Sequence, residues 1–171
     1  MNKAKRLDQA LIAGVTPYFL KRGAFWFQEN REKLLQARKT RSFFQKNILS
    51  VEQNQKHNFS YFLRRLDEMG YEKVYQVTEM GEFAQRGGIV DVFPVNFKKA
   101  LRFEFLGNTI ETIEEMPVEV DDEEKSKKLL EKKLKSQERF FSLDGLKPGD
   151  YIVHLDHGIG RFKGIINLQQ K

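Results

Sequence analysis

Cysteine is absent from the 171 residues, which removes disulfides and thiolate chemistry and points to a reducing compartment, with the cytoplasm as the expected location. Also missing is any run approaching the ~20 apolar residues that a membrane helix needs. The apolar LIAGV of residues 11–15 is too short and too soon interrupted for the core of a signal peptide, so a soluble chain with no membrane partner is expected. Neither GxGxxG nor GxxxxGK followed by Ser or Thr occurs, and Gly158-Ile159-Gly160 is a bare GxG, so a nucleotide site is unsupported. GxSxG is missing as well, which leaves no nucleophile elbow. Histidine is scarce, and two of the three lie in HLDHG (154–158). On a strand His154 and Asp156 share one face while His157 takes the other. No Cys or third nearby His completes a ligand set, so the cluster reads as structural. The chain is therefore expected to be no enzyme, with no catalytic residue, no metal and no cofactor.

What is present is charge and phenylalanine. Charged residues make up 32% of the chain and hydrophobic ones 40%, including 15 Phe, a mixture that fits a modest core with exposed connecting segments. The net charge of +6 invites a nucleic-acid reading, but the charges come in opposed blocks. Residues 1–45 hold ten Lys or Arg against three acids, residues 111–124 hold eight acids and no base, and residues 125–139 return to seven bases against two acids. Alternating blocks suit solvated helix faces better than one binding stripe.

Along the chain, residues 25–46 contain good helix formers and neither Pro nor Gly, which predicts one helix with Phe25, Trp26, Phe27, Phe43 and Phe44 crowded at its ends. Those aromatics belong either to a core or to an interface with a further domain. ILSVEQNQ (48–55) reads as a strand. A helix follows, capped by Asn58 or Ser60, with Phe59, Phe62, Leu63 and Leu66 at helical spacing and Gly70 as its stop. Strands are predicted at 74–77, 88–93, 101–106 and 109–115, with turn residues at 94–99 and at Gly107-Asn108. The fold class is thus α+β: a small antiparallel meander with a packed helix. After Pro117, acids precede bases along a charged connecting helix whose apolar stripe of Leu129, Leu130 and Leu134 is thin. Two short strands are predicted in LKPGDYIVHLDHGIGRFKGI.

LRFEFLG is the informative strand. Leu101, Phe103 and Phe105 fall on one face, and Arg102, Glu104 and Leu106 on the other. GEFAQRGGIVDVFP places Val90 and Val92 on one face and Ile89, Asp91 and Phe93 on the other. Gly87 and Gly88 supply a tight turn in which a bulkier side chain would be strained. Arg86, held by that turn beside Arg102 and Glu104, makes a charged edge able to dock a partner of complementary charge.

These strings, GEFAQRGGIVDVFP and LRFEFLGNTIETI, resemble the UvrA-interaction domain shared by the UvrB and Mfd (transcription-repair coupling factor) families, over roughly residues 46–116. The Mfd form is the closer, because UvrB usually carries Asp at the position of Gly88 and Arg at that of Ala84. LKPGDYIVHLDHGIGRFKGI is similar to the opening of the CarD and Mfd type of RNA-polymerase-interacting domain, a Tudor-like barrel in that family. The resemblance implies four segments. Residues 1–45 are a mainly helical piece of a helicase-like lobe, and 46–117 are the UvrA-interaction domain. Residues 118–142 are a charged helical linker, and 143–171 are the incomplete start of the polymerase-binding barrel. It implies UvrA and the RNA polymerase beta subunit as partners, with DNA a partner of the whole family protein. UvrA would be contacted by Arg86, Arg102, Glu104 and Leu106, the last at a position commonly Phe. No translocase motor motif is present, so an adaptor fragment of a coupling factor is expected. A basic nucleic-acid-binding protein, using residues 1–45 and 125–139, and a non-functional truncated remnant are the other readings.

Overall fold

Residues 9–13, QALIA, form strand β1 (Gln9–Ala13) in the computed structural model, which describes residues 4–120, 123–141, 147–154 and 158–164. They fall into two compact units, Met1–Gln137 and Glu138–Lys171. In the first, β1 is followed by four short helices, α1 (Pro17–Leu20), α2 (Ala24–Glu29), α3 (Arg31–Thr40) and α4 (Ser42–Asn47), and then by strand β2 (Ile48–Glu52). Strand β2 returns antiparallel to β1, with Ala13 opposite Ile48 and Gln9 opposite Glu52.

The single helix predicted over 25–46 is broken at Asn30 and at Arg41, where the backbone turns extended (φ −125, ψ 123). The reason lies in the aromatics. A straight helix would set Phe27 and Phe43 about 24 Å apart along its axis. In the folded chain both rings pack on Phe19, at 5.4 and 5.8 Å between centroids. Phe19 is fully buried, so the partner for these rings lies within the chain, although Phe25 stays exposed.

Helix α5 (Phe59–Glu68) starts where Asn58 Oδ1 accepts the Tyr61 amide at 2.8 Å. It ends at Gly70, whose φ of +85 is in the left-handed region. Its buried face carries Phe62 and Leu66, and the Phe62 ring lies 5.2 Å from both Phe103 and Phe105. Those two residues belong to a five-stranded sheet of β3 (Glu72–Lys73), β4 (Glu82–Arg86), β5 (Ile89–Val92), β6 (Lys99–Leu106) and β7 (Thr109–Glu119), adjacent in that order.

The sheet is mixed, not the purely antiparallel meander expected, because β3 runs parallel to β4. The strand expected at 74–77 does not form. Instead the Glu82 carboxylate accepts the amides of Thr78 and Glu79, each at 2.8 Å, a local competitor to ladder bonding that loops the chain back. EFAQR then enters the sheet as β4, a strand that the sequence reading does not include. The outer edge of β7 is covered: the Leu7 amide donates to Ile113, Glu115 to Lys5, Asn54 to Ile110 and Ile110 to Gln55. Buried Asn96 ties β1 to the loop after β5, donating to the Leu11 carbonyl at 2.7 Å and accepting the Ala13 amide at 3.0 Å.

Helix α6 (Glu123–Phe141) is less solvated than expected. Leu130 is buried, and Leu129 and Leu134 pack against the core. Among the described residues no helix is long and apolar enough to cross a membrane.

The second unit holds an antiparallel pair, β8 (Tyr151–His154) and β9 (Gly158–Arg161). The expected opening of a barrel is, among the described residues, this two-stranded hairpin, too few strands to close on themselves. Asp156 and His157 lie outside the described residues. Among those described, no group of His, Cys, Asp or Glu is placed to hold a metal ion.

Phe62→Ala empties a fully buried ring position and is expected to lower the unfolding free energy by about 3–5 kcal/mol. Urea titration reads this as a lower midpoint, and Tyr75→Ala, at an 89% exposed ring, should stay within about 0.5 kcal/mol of wild type.

Candidate functional site

The turn joining β4 to β5 is Gly87-Gly88, closed by the pair Arg86 and Ile89. Gly87 has φ +57, a conformation that costs glycine least. Gly88 is needed for a different reason. Its carbonyl accepts the Phe105 amide at 2.8 Å, and a Cβ there would stand 2.6 Å from the Phe105 carbonyl oxygen. The two glycines thus let the hairpin turn and lie flush against β6.

That contact fixes the register across the sheet, placing Asp91 opposite Arg102 and Ile89 opposite Glu104. The Asp91 side chain is only 3% exposed, and a buried carboxylate persists only when paired. Arg102 donates to both its oxygens, Nε to Oδ1 at 2.7 Å and Nη2 to Oδ2 at 2.8 Å. Arg86 Nη2 donates to Oδ2 at 2.9 Å. The hydrogen bonds that Arg102 donates to Asp91 hold the Arg102 pKa above the ordinary arginine value. Burial opposes this, and the charges of Asp91, Glu104 and Glu114 reinforce it. Both guanidiniums remain accessible, with side-chain exposures of 34% for Arg102 and 54% for Arg86.

Burial alternates along β6 as the strand period requires: Leu101, Phe103 and Phe105 are buried, Arg102 and Glu104 are half-buried, and Leu106 is exposed at 69%. Glu104 accepts the Thr112 hydroxyl at 3.0 Å. The carboxylate that joins the two arginines is therefore Asp91, whereas the sequence places Glu104 beside them and gives Asp91 no role. The available signal was an acid inside the apolar string IVDVF, but its partner becomes visible only once the hairpin register is known. Glu114, in register with Arg102, pairs with Arg6 at 2.8 Å.

Beyond Leu106 the strand turns at Gly107 (φ +61) and is pinned to the start of α5. Asn108 Oδ1 accepts the Phe59 amide at 3.0 Å, and its carbonyl accepts the His57 amide at 2.6 Å. The His57 ring packs on Tyr61 and Phe62. Burial holds its pKa below the ordinary 6.5, opposed by a hydrogen bond with the Asn58 backbone and assisted by the Arg38 charge. Elsewhere, a cavity of about 960 Å³ lies between Leu20–Phe25, Val95 and the Leu130–Leu134 turn of α6, and no predicted site residue lines it.

Residues 49–140 match the UvrB interaction domain, and residues 146–171 match the CarD-like/TRCF RID domain. The UvrABC system protein B of Campylobacter hominis is 33% identical over 69 residues, 40% of this chain and 10% of that protein. A transcription-repair-coupling factor of Staphylococcus aureus is 33% identical over 92 residues, 54% of this chain and 7% of that protein. Its counterpart in Myxococcus xanthus is 46% identical over 50 residues, 29% and 4% respectively. The matched region spans at most 10% of the length of these relatives.

Gly88→Ala forces Phe105 away from the turn and is expected to destabilise the chain by about 1–3 kcal/mol, as overpacking does, read by thermal denaturation. His57 gives a pH signature. Its folded pKa lies below the unfolded one, so its stabilising contribution is complete above 6.5 and is lost as the pH falls below that value. Melting temperatures from about pH 7 down to pH 5 should fall more steeply for wild type than for His57→Phe.

Proposed function

This chain belongs to the UvrB interaction domain family, and we propose that it acts by docking UvrA, as the UvrA-binding part of a transcription-repair coupling factor. The observation that carries the reading is the half-exposed pair Arg86 and Arg102, held on one buried carboxylate beside exposed Leu106. Side chains already fixed on a sheet lose little freedom on contact. Guanidiniums offer strong directional donors to an acidic surface, and an exposed leucine supplies the apolar contact around which such patches bind. Glu104, two residues along the same strand, adds an acceptor that a basic group of the partner would meet. Arg86, Arg102, Glu104 and Leu106 are thus the proposed contact residues, with Gly87 and Gly88 shaping the turn that carries Arg86.

The match over residues 146–171 supports a second contact, to the RNA polymerase beta subunit, through the unit that contains β8 and β9. On this reading the chain works by binding alone, in a setting of nucleotide excision repair.

Capture of cognate UvrA by the full chain tests the assignment. Arg86→Glu and Glu104→Arg are each expected to weaken capture at least about tenfold, since like charges brought together at an interface cost several kcal/mol. Circular dichroism should be unchanged. Undiminished capture by both variants would sink the site assignment.

A further inference from the structure

We infer that Asp91 is the positioning residue of this face, so that recognition depends on the fixed geometry of Arg86 and Arg102 and not on their net charge. The inference rests on the docking reading above and deepens it. Asp91 is too buried to touch a partner, at 3% exposure, yet both its oxygens are occupied by the two arginines. Arg102 uses two of its five N–H donors on Asp91 and Arg86 uses one, which leaves the remainder of each fork to face outward.

The charge inventory argues the same way. Two arginines with Asp91 amount to a single positive charge, and Glu104 on the same face brings the group to neutrality. A neutral cluster exerts little pull beyond a Debye length, so the face has weak long-range attraction. What it offers is short-range, directional donors in fixed positions. Without Asp91 the two guanidiniums would repel, and each long side chain would need ordering at the moment of contact.

A charge-based account and a geometric one make opposite forecasts for Asp91→Asn, which preserves shape and raises the net charge by one. The experiment titrates cognate UvrA against the 171-residue wild-type chain, Asp91→Asn and Arg102→Lys, and records ¹⁵Nε relaxation of the arginine side chains in the free proteins. Asp91→Asn is expected to bind about tenfold more weakly despite its added positive charge. Its Arg102 Nε–H should change from backbone-like rigidity to free motion, and Arg102→Lys, which keeps charge but loses the fork, should weaken binding to a similar extent. Equal or tighter binding by Asp91→Asn overturns the proposal, as does an Arg102 Nε–H that is already mobile in wild type. If Asp91→Asn does not fold, wild-type relaxation and Arg102→Lys decide the matter. Failure of wild type to bind UvrA would instead remove the docking reading, while the relaxation data would still decide whether Asp91 holds the arginines.

Discussion

Strand β6 sits between β5 and β7, and its two-residue period commits every side chain of LRFEFL to one face or the other. Leu101, Phe103 and Phe105 go to the core, with Phe103 and Phe105 meeting Phe62 of α5. Arg102, Glu104 and Leu106 go to the opposite face. A slip of one residue would bury a guanidinium and a carboxylate beneath α5 and expose two phenylalanines. The register is therefore held by large buried apolar side chains, and the charged face inherits its geometry from them. The Gly88 contact with Phe105 extends the same register to β5, which brings Asp91 beneath the arginines.

The β1–β2 pair is part of this arrangement. Asn96 binds β1 through two hydrogen bonds, and the Tyr71 hydroxyl donates to the Ala13 carbonyl at 2.6 Å. Burial raises the Tyr71 pKa, against a hydrogen bond from the Val95 backbone, so the hydroxyl keeps its proton and remains a donor. These polar contacts lie among apolar neighbours, where an unpaired group would be costly. They fix where β1 sits relative to the sheet, which burial of apolar surface alone, being non-directional, would leave loose.

Much of this was legible in the chain. The cap at Asn58, the stop at Gly70 and the strands β5, β6 and β7 all follow from local patterns, because side-chain period and cap chemistry are properties of a few consecutive residues. The features that escaped are those decided at a distance. The break of the 25–46 helix depends on Phe19, which lies outside that segment. Strand β4 carries the polar Gln85 and Arg86, so no apolar run marks it, and its place in the sheet comes from pairing with β5. The parallel β3 results from a carboxylate, Glu82, that binds the backbone of the loop preceding it. At the candidate site Arg86, Arg102, Glu104 and Leu106 were recognisable as residues, but the role of Asp91 emerges only from the register.

The covering of β7 has a consequence for how this chain behaves in company. Residues 5–7 and 54–55 already fill hydrogen-bonding positions along that edge, and at the opposite edge β3 is only two residues long. Among the described residues of this five-stranded sheet, a further strand from another copy finds no extended row of free amides and carbonyls on which to grow. Strand addition at either edge of this sheet is thereby disfavoured. The fibrous growth that bare sheet edges invite finds no template at the edges of this sheet.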